Sequence, residues 1–224
     1  MHKLNTKKRE GHRVCLVPND DAKNSVLSYI YNHLAYTSEK LHQYLDMIAY
    51  EKAAIALGGI TRSEHYICYG YYKLQDYGET VRACTEAIDK TDNLTARYWR
   101  GLAYGKIEQL EAALRDLEVV ANSQHQFRIS AAIHMSVIYD EMKDFQGSLD
   151  LLNKYTFLYD KKKNPIKADI AAAYNNRCYA YMELGDLQKA LEDCTASLRY
   201  GSLPDAYRKQ QELVKRLKAP AKDS

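Results

Sequence analysis

The sequence predicts an all-α protein, a solenoid of antiparallel helix pairs, on three observations. Tyrosine recurs in phase at Tyr71, Tyr104, Tyr139 and Tyr181. A helix breaker follows each at the same distance: Gln75-Asp76, Glu108-Gln109, Lys143-Asp144 and Gly185-Asp186. A small residue then stands nine positions after each tyrosine, at Thr80, Ala113, Ser148 and Ala190. Apolar residues between these marks fall three or four apart, which puts them on one helical face.

The elements follow in order. Residues 1–21 carry Lys3, Lys7, Lys8, Arg9 and Arg13 without apolar periodicity, a basic and flexible N-terminal tail. Residues 22–60 read as a degenerate first helical pair, broken near Thr37-Ser38 and ended by Gly58-Gly59. Residues 61–203 hold four units, at about 61–93, 94–128, 129–170 and 171–203. The last is the clearest. Tyr174, Cys178, Tyr181 and Leu184 share one face, Gly185 supplies a left-handed stop, and Leu187, Ala190, Leu191, Cys194 and Leu198 form the returning face. An insertion around Asp160–Lys167 lengthens the third interval. Pro204-Asp205 opens a helix to about Lys218, with a wet face of Lys209, Gln210, Glu212, Lys215 and Arg216 that suits a solenoid cap, and 219–224 is a tail.

Cys68 and Cys84 are 16 residues apart, and so are Cys178 and Cys194. The other two units carry Gly101 with Leu117 and Ser136 with Leu152 at the same sites, so the cysteines arrive together or not at all. That is the pattern an intra-unit disulfide produces. Buried thiols filling small core sites are the other reading. Cys15 is left over, and no spacing suggests a metal site.

The composition bounds the rest. A net charge of +3 gives no reason to expect nucleic acid. No apolar run reaches the ~20 residues of a membrane span. Taken as complete, the chain predicts a cytoplasmic protein; bridged cysteines would instead predict an exported or periplasmic one with its leader removed. The histidines are scattered, and no hydrolase elbow, phosphate loop, zinc helix or dinucleotide fingerprint occurs. Neither catalysis nor a cofactor is expected.

With Gly101, Tyr104 and Ala113 in Leu94–Val120, and the matching marks in Ala171–Leu198, the chain resembles the tetratricopeptide repeat family. The likeness covers about two-thirds of the chain and is looser where Thr80 and Ser148 replace the alanine. The resemblance implies a right-handed superhelix whose leading helices line a concave wall. Carried onto this register, the family's inward positions are Arg62, His65, Tyr66, Tyr69, Tyr72 and Lys73, then Tyr98, Trp99, Leu102 and Lys106. The third unit gives Ser130, Ile133, His134, Val137, Asp140 and Glu141, and the fourth Asn175, Asn176, Tyr179 and Glu183. Rings with polar tips and two amides suit an extended peptide; alternatively many of the rings cover the next leading helix. The Lys/Asn clamp by which some relatives hold terminal carboxylates is absent, since His65, Tyr69 and Trp99 stand there.

The expectation is a non-catalytic scaffold, monomer or weak homodimer, that binds a peptide or protein segment in an aromatic groove. The alternative is an architectural module that self-associates through exposed edges of the first pair, at Tyr29, Tyr31, Leu34, Tyr44 and Leu45.

Overall fold

The left-handed turn between paired helices organises the molecule. The computed structural model describes residues 20–58, 64–159, 167–201 and 203–218. The basic tail with Cys15, Arg62, most of the insertion and the C-terminal tail lie outside the described residues. Among the described residues there are eleven helices and no strand. They are α1 (Asp20–Lys40), α2 (Tyr44–Ala56), α3 (Glu64–Lys73), α4 (Tyr77–Thr91), α5 (Leu94–Lys106) and α6 (Leu110–Ala121). α7 (Arg128–Glu141), α8 (Phe145–Tyr159), α9 (Lys167–Glu183), α10 (Leu187–Tyr200) and α11 (Pro204–Lys218) complete the chain.

Each of the five hairpin turns has the same geometry. His42, Gln75, Glu108, Lys143 and Gly185 occupy the left-handed region, at φ 59°, 61°, 61°, 62° and 83°. The next amide in each donates back to the carbonyl of Ser38, Tyr71, Tyr104, Tyr139 or Tyr181, at 2.8–3.0 Å. This closes the leading helix with a Schellman turn. The residue after the left-handed one caps the returning helix where it is aspartate: Asp76, Asp144 and Asp186 accept from the amides of Glu79, Gly147 and Lys189. The first pair uses this turn too, so it belongs to the series, although its break falls at Leu41-His42 and not at Thr37-Ser38. Thr37 stays helical, its hydroxyl donating to the His33 carbonyl at 2.9 Å within the same helix. Ser38 takes the tyrosine's place and Met47, fully buried, the small residue's.

Successive helices pack in sequence, and the leading helices also touch each other: α3 on α5, α5 on α7, α7 on α9 and α9 on α11. No two trailing helices do so among the described residues. The leading helices therefore crowd the inside of the curve and the trailing ones splay outside. Close approach within a pair needs the small sites: a Cβ on Gly101 would lie 2.8 Å from Leu117 Cγ. Cys68, Ser136 and Cys178 are fully buried at the equivalent site.

The turn also brings residues 16 apart face to face across each hairpin. Cys178 and Cys194 are joined, with Cα atoms 5.3 Å apart. Cys68 and Cys84 are free buried thiols, and burial foremost, then the neighbouring Cys68, pushes the Cys84 thiol pKa far up. One position earlier the same opposition makes two buried ion pairs that the sequence reading missed. Arg100 grips Asp116 at 2.6 and 2.9 Å, and Arg177 grips Asp193 at 2.6 and 2.7 Å. Each guanidinium also reaches the preceding trailing helix, at Thr85 Oγ1 or Asn153 Oδ1. Arg97 also stands 3.6 Å from Asp116, so Asp116 keeps a cation if Arg100 is lost. Removing Arg177 would take the guanidinium from buried Asp193, at a cost of about 3 kcal/mol.

Glycine relieves the left-handed strain that a side chain suffers. Glu108→Gly is therefore expected to raise stability by about 0.5–1 kcal/mol and Gly185→Ala to lower it by about 1 kcal/mol in denaturant melts.

Candidate functional site: the inner wall

The inner wall is built by α3, α5, α7 and α9, and much of its aromatic surface is spent on packing. Trp99 of α5 lies 5.0 Å from Tyr69 and 5.2 Å from Tyr72 of α3, centroid to centroid, and 5.1 Å from Tyr98. Tyr44, at the head of α2, meets Tyr69 edge-on, and Phe127, just ahead of α7, reaches Trp99 at 6.1 Å. The rings thus form a strip that ties the early units together. Burial first, and then Tyr44, pushes the Tyr69 phenol up to about 12. Lys73 remains exposed, its ammonium 5.9 and 5.8 Å from the Tyr44 and Tyr69 rings.

Several expected groove residues have other work. Tyr98 is 5% exposed and stacks on Phe127 at 4.5 Å; it is core. Ile133 and Leu102 are likewise buried. Tyr66, with the His65 ring tilted against it at 4.4 Å, faces the first pair: after burial, Glu39 of α1 and Glu51 of α2 are the main groups raising its pKa. The amides are engaged within the chain. Asn175 donates to Asp205 at 3.2 Å and accepts from Lys209 at 3.4 Å, both on α11. Asn176 donates to Ser136 Oγ at 3.0 Å and to the Ile133 carbonyl at 3.4 Å, which ties α9 to α7. Lys209 also lies 5.0 Å above the Tyr179 ring, so α11 covers that end of the wall. These ties have no signature in the sequence, because Asn175 and Asp205 have no fixed spacing to link them.

An open part of the wall lies between α3, α5 and α7. A cavity of about 150 Å³ is lined by Tyr72, Leu102, Gly105, Lys106, His134, Val137, Ile138 and Glu141. Lys106, Val137 and Glu141 are exposed at its mouth. His134 sits deep: burial foremost, then the charge of Lys106, lowers its pKa to about 4, so it is neutral at pH 7. Further along, burial raises Asp140 to about 6, and its Oδ1 has no hydrogen-bond partner. The open wall thus offers apolar space with cations (Lys73, Lys106) toward one end and acids (Glu141, Glu183) toward the other.

Among the described residues no group of three His, Cys, Asp or Glu side chains could hold a metal, and no helix is long and apolar enough to cross a membrane. No family model and no curated protein matches the chain. Solved structures do. The nearly identical TPR-like repeats of a kinesin-light-chain-type protein from Podosopora anserina superpose with a TM-score of 0.62 at 17% identity, over 79% of this chain and 96% of that one. A tetratricopeptide repeat protein from Parabacteroides merdae gives 0.66 at 12% identity, over 86% and 74%. The fold is that of the tetratricopeptide repeats. MamA is similar as well, with a TM-score of 0.61 at 16% identity, over 88% of this chain and 98% of MamA.

Because the native state keeps His134 neutral while the unfolded chain protonates near pH 6.5, its contribution to stability is complete above that pH and is lost as pH falls toward 4. Asp140 runs the other way, its contribution present below its unfolded pKa of 3.8 and lost as pH rises through about 6. In His134→Gln, melts taken from pH 7 down to 4.5 are expected to lose less stability on acidification than the wild type.

Proposed function

We propose that the protein is a non-catalytic scaffold that holds an extended segment of a partner protein along the inner wall, with one apolar side chain seated between Leu102, His134 and Val137. The cavity drawn from three successive leading helices carries this reading, since a groove shared between units reads a segment longer than one residue. A neutral His134 keeps the seat apolar. Lys73 and Lys106 on one side and Glu141 and Glu183 on the other favour a segment that is acidic toward α3 and basic toward α9. Trp99, Tyr69 and Tyr72 act here as the rigid backing of the seat, and Asn175 and Asn176 as structural ties.

Self-association is the second reading, and the first pair supports it. Tyr29, Leu34 and Leu45 are exposed, as are Val26 and Ile30 on the same outward face of α1. Tyr31 and Tyr44 are not part of that surface, because they pack on Tyr50 and Tyr69.

Selection from a displayed random-peptide library separates the two. The wild type is expected to select peptides that share one apolar position. Val137→Arg, at an exposed site on the mouth, should weaken them by roughly tenfold or more without changing the melt. Selected peptides with no shared apolar position, or equal binding by the variant, would contradict the seat. A dimer in sedimentation that the variant leaves intact would favour contact through α1.

A further inference from the structure

A second cavity, of about 240 Å³, opens on the outer face between α2, α3 and α4, away from the proposed peptide seat. Its wall is apolar: Ile55 from α2, Ile67 from α3, and Ala83 and Ala87 from α4. Glu64, the first residue of α3, also lines it. Only 5% of Glu64 is exposed, and its Oε2 has no hydrogen-bond partner. Its other oxygen accepts from Lys90 Nζ at 2.9 Å. A buried carboxylate oxygen without a donor is costly, and a donor delivered into this cavity would remove that cost.

We propose that this cavity binds an aliphatic α-amino acid as its zwitterion. The ligand's ammonium donates to Glu64 Oε2, which is covered in the free protein and which a turn of the carboxylate about Cγ–Cδ presents to the cavity. Its carboxylate meets Lys52 and Lys90, whose exposed ammonium groups each have three N–H donors. One of these on Lys52 goes to the Tyr71 hydroxyl at 2.9 Å, and one on Lys90 goes to Glu64. The aliphatic side chain fills the space between Ile55, Ile67 and Ala87. Arg82, also at the rim, is held by two carboxylates, Glu79 and Glu86, the second of which lines the cavity too. The lysines keep two further N–H donors each and are the anion-binding pair. The cavity is smaller than the roughly 300–1,000 Å³ of drug-sized sites, which suits a ligand of a single residue. A bare amine would leave the lysines unmatched, and a bare carboxylic acid would leave Glu64 unmatched.

The test is calorimetric titration of the whole protein with L-leucine, with 4-methylpentanoate, which lacks the ammonium, and with 3-methylbutylamine, which lacks the carboxylate. The wild type is expected to bind L-leucine with Kd on the order of 1 mM and each analogue at least about tenfold more weakly. Glu64→Gln should weaken L-leucine by roughly tenfold or more. Ala56→Trp, at an exposed position on the mouth, should do the same with an unchanged melt, and it carries the test should Glu64→Gln fail to fold. No binding of L-leucine to the wild type would overturn the proposal, as would undiminished binding by a folded Glu64→Gln or by Ala56→Trp. An amine that binds as tightly as L-leucine would overturn the assignment to an α-amino acid.

Discussion

A single backbone constraint, one residue held in the left-handed region between two helices, fixes the rest of this molecule. With that residue in place the leading helix ends on a paired carbonyl, the returning helix starts at once, and residues 16 apart stand opposite. The Cys178–Cys194 bridge and the Arg100–Asp116 and Arg177–Asp193 pairs all result from that opposition. Only Gly185 adopts the conformation without strain; the other four turns place side-chain-bearing residues there. The strain persists because packing on both sides of each turn over-determines it.

The stacking that follows gives the two faces different chemistry. Inside, leading helices touch one another and the rings of Tyr69, Tyr72, Trp99 and Phe127 fill the seams, with a recess beside His134. Outside, trailing helices do not meet among the described residues, and the gap between α2 and α4 exposes a floor that belongs to α3. That is how a buried acid, Glu64, comes to line an open cavity. The inner recess suits an apolar side chain; the outer one presents a carboxylate and two ammonium groups. The two sites share no residue, so each can fail without the other.

Much of the fold was legible because a repeat states its geometry several times. Tyr71, Tyr104, Tyr139 and Tyr181 with their breakers located four hairpins directly. The first hairpin was blurred because Ser38 and Met47 replace the usual residues while the backbone turn at His42 stays the same. The site was less legible, since it depends on contacts between units. Tyr98 is at an inward position by register, yet Phe127 arrives from the α6–α7 connection and covers it. Asn175 is inward too, but α11 reaches over and takes its amide. The Arg/Asp pairs were visible as a spacing of 16 repeated in two units, the same signal that the cysteines gave.

The most direct measurement of the central claim is a cross-link at a hairpin that has no cysteines. Gly101→Cys/Leu117→Cys places thiols at the sites that Cys178 and Cys194 occupy, and replacing Leu117 clears the side chain that crowds a Cβ at 101. Gly101→Cys/Asp116→Cys moves the second thiol one residue out of register. After mild oxidation, peptide mapping by mass, which separates these bridges from one between Cys68 and Cys84, should show a 101–117 bridge in the first protein and no 101–116 bridge in the second. Bridging at 101–116, or none at 101–117 in a folded protein, would contradict a register fixed by the turn.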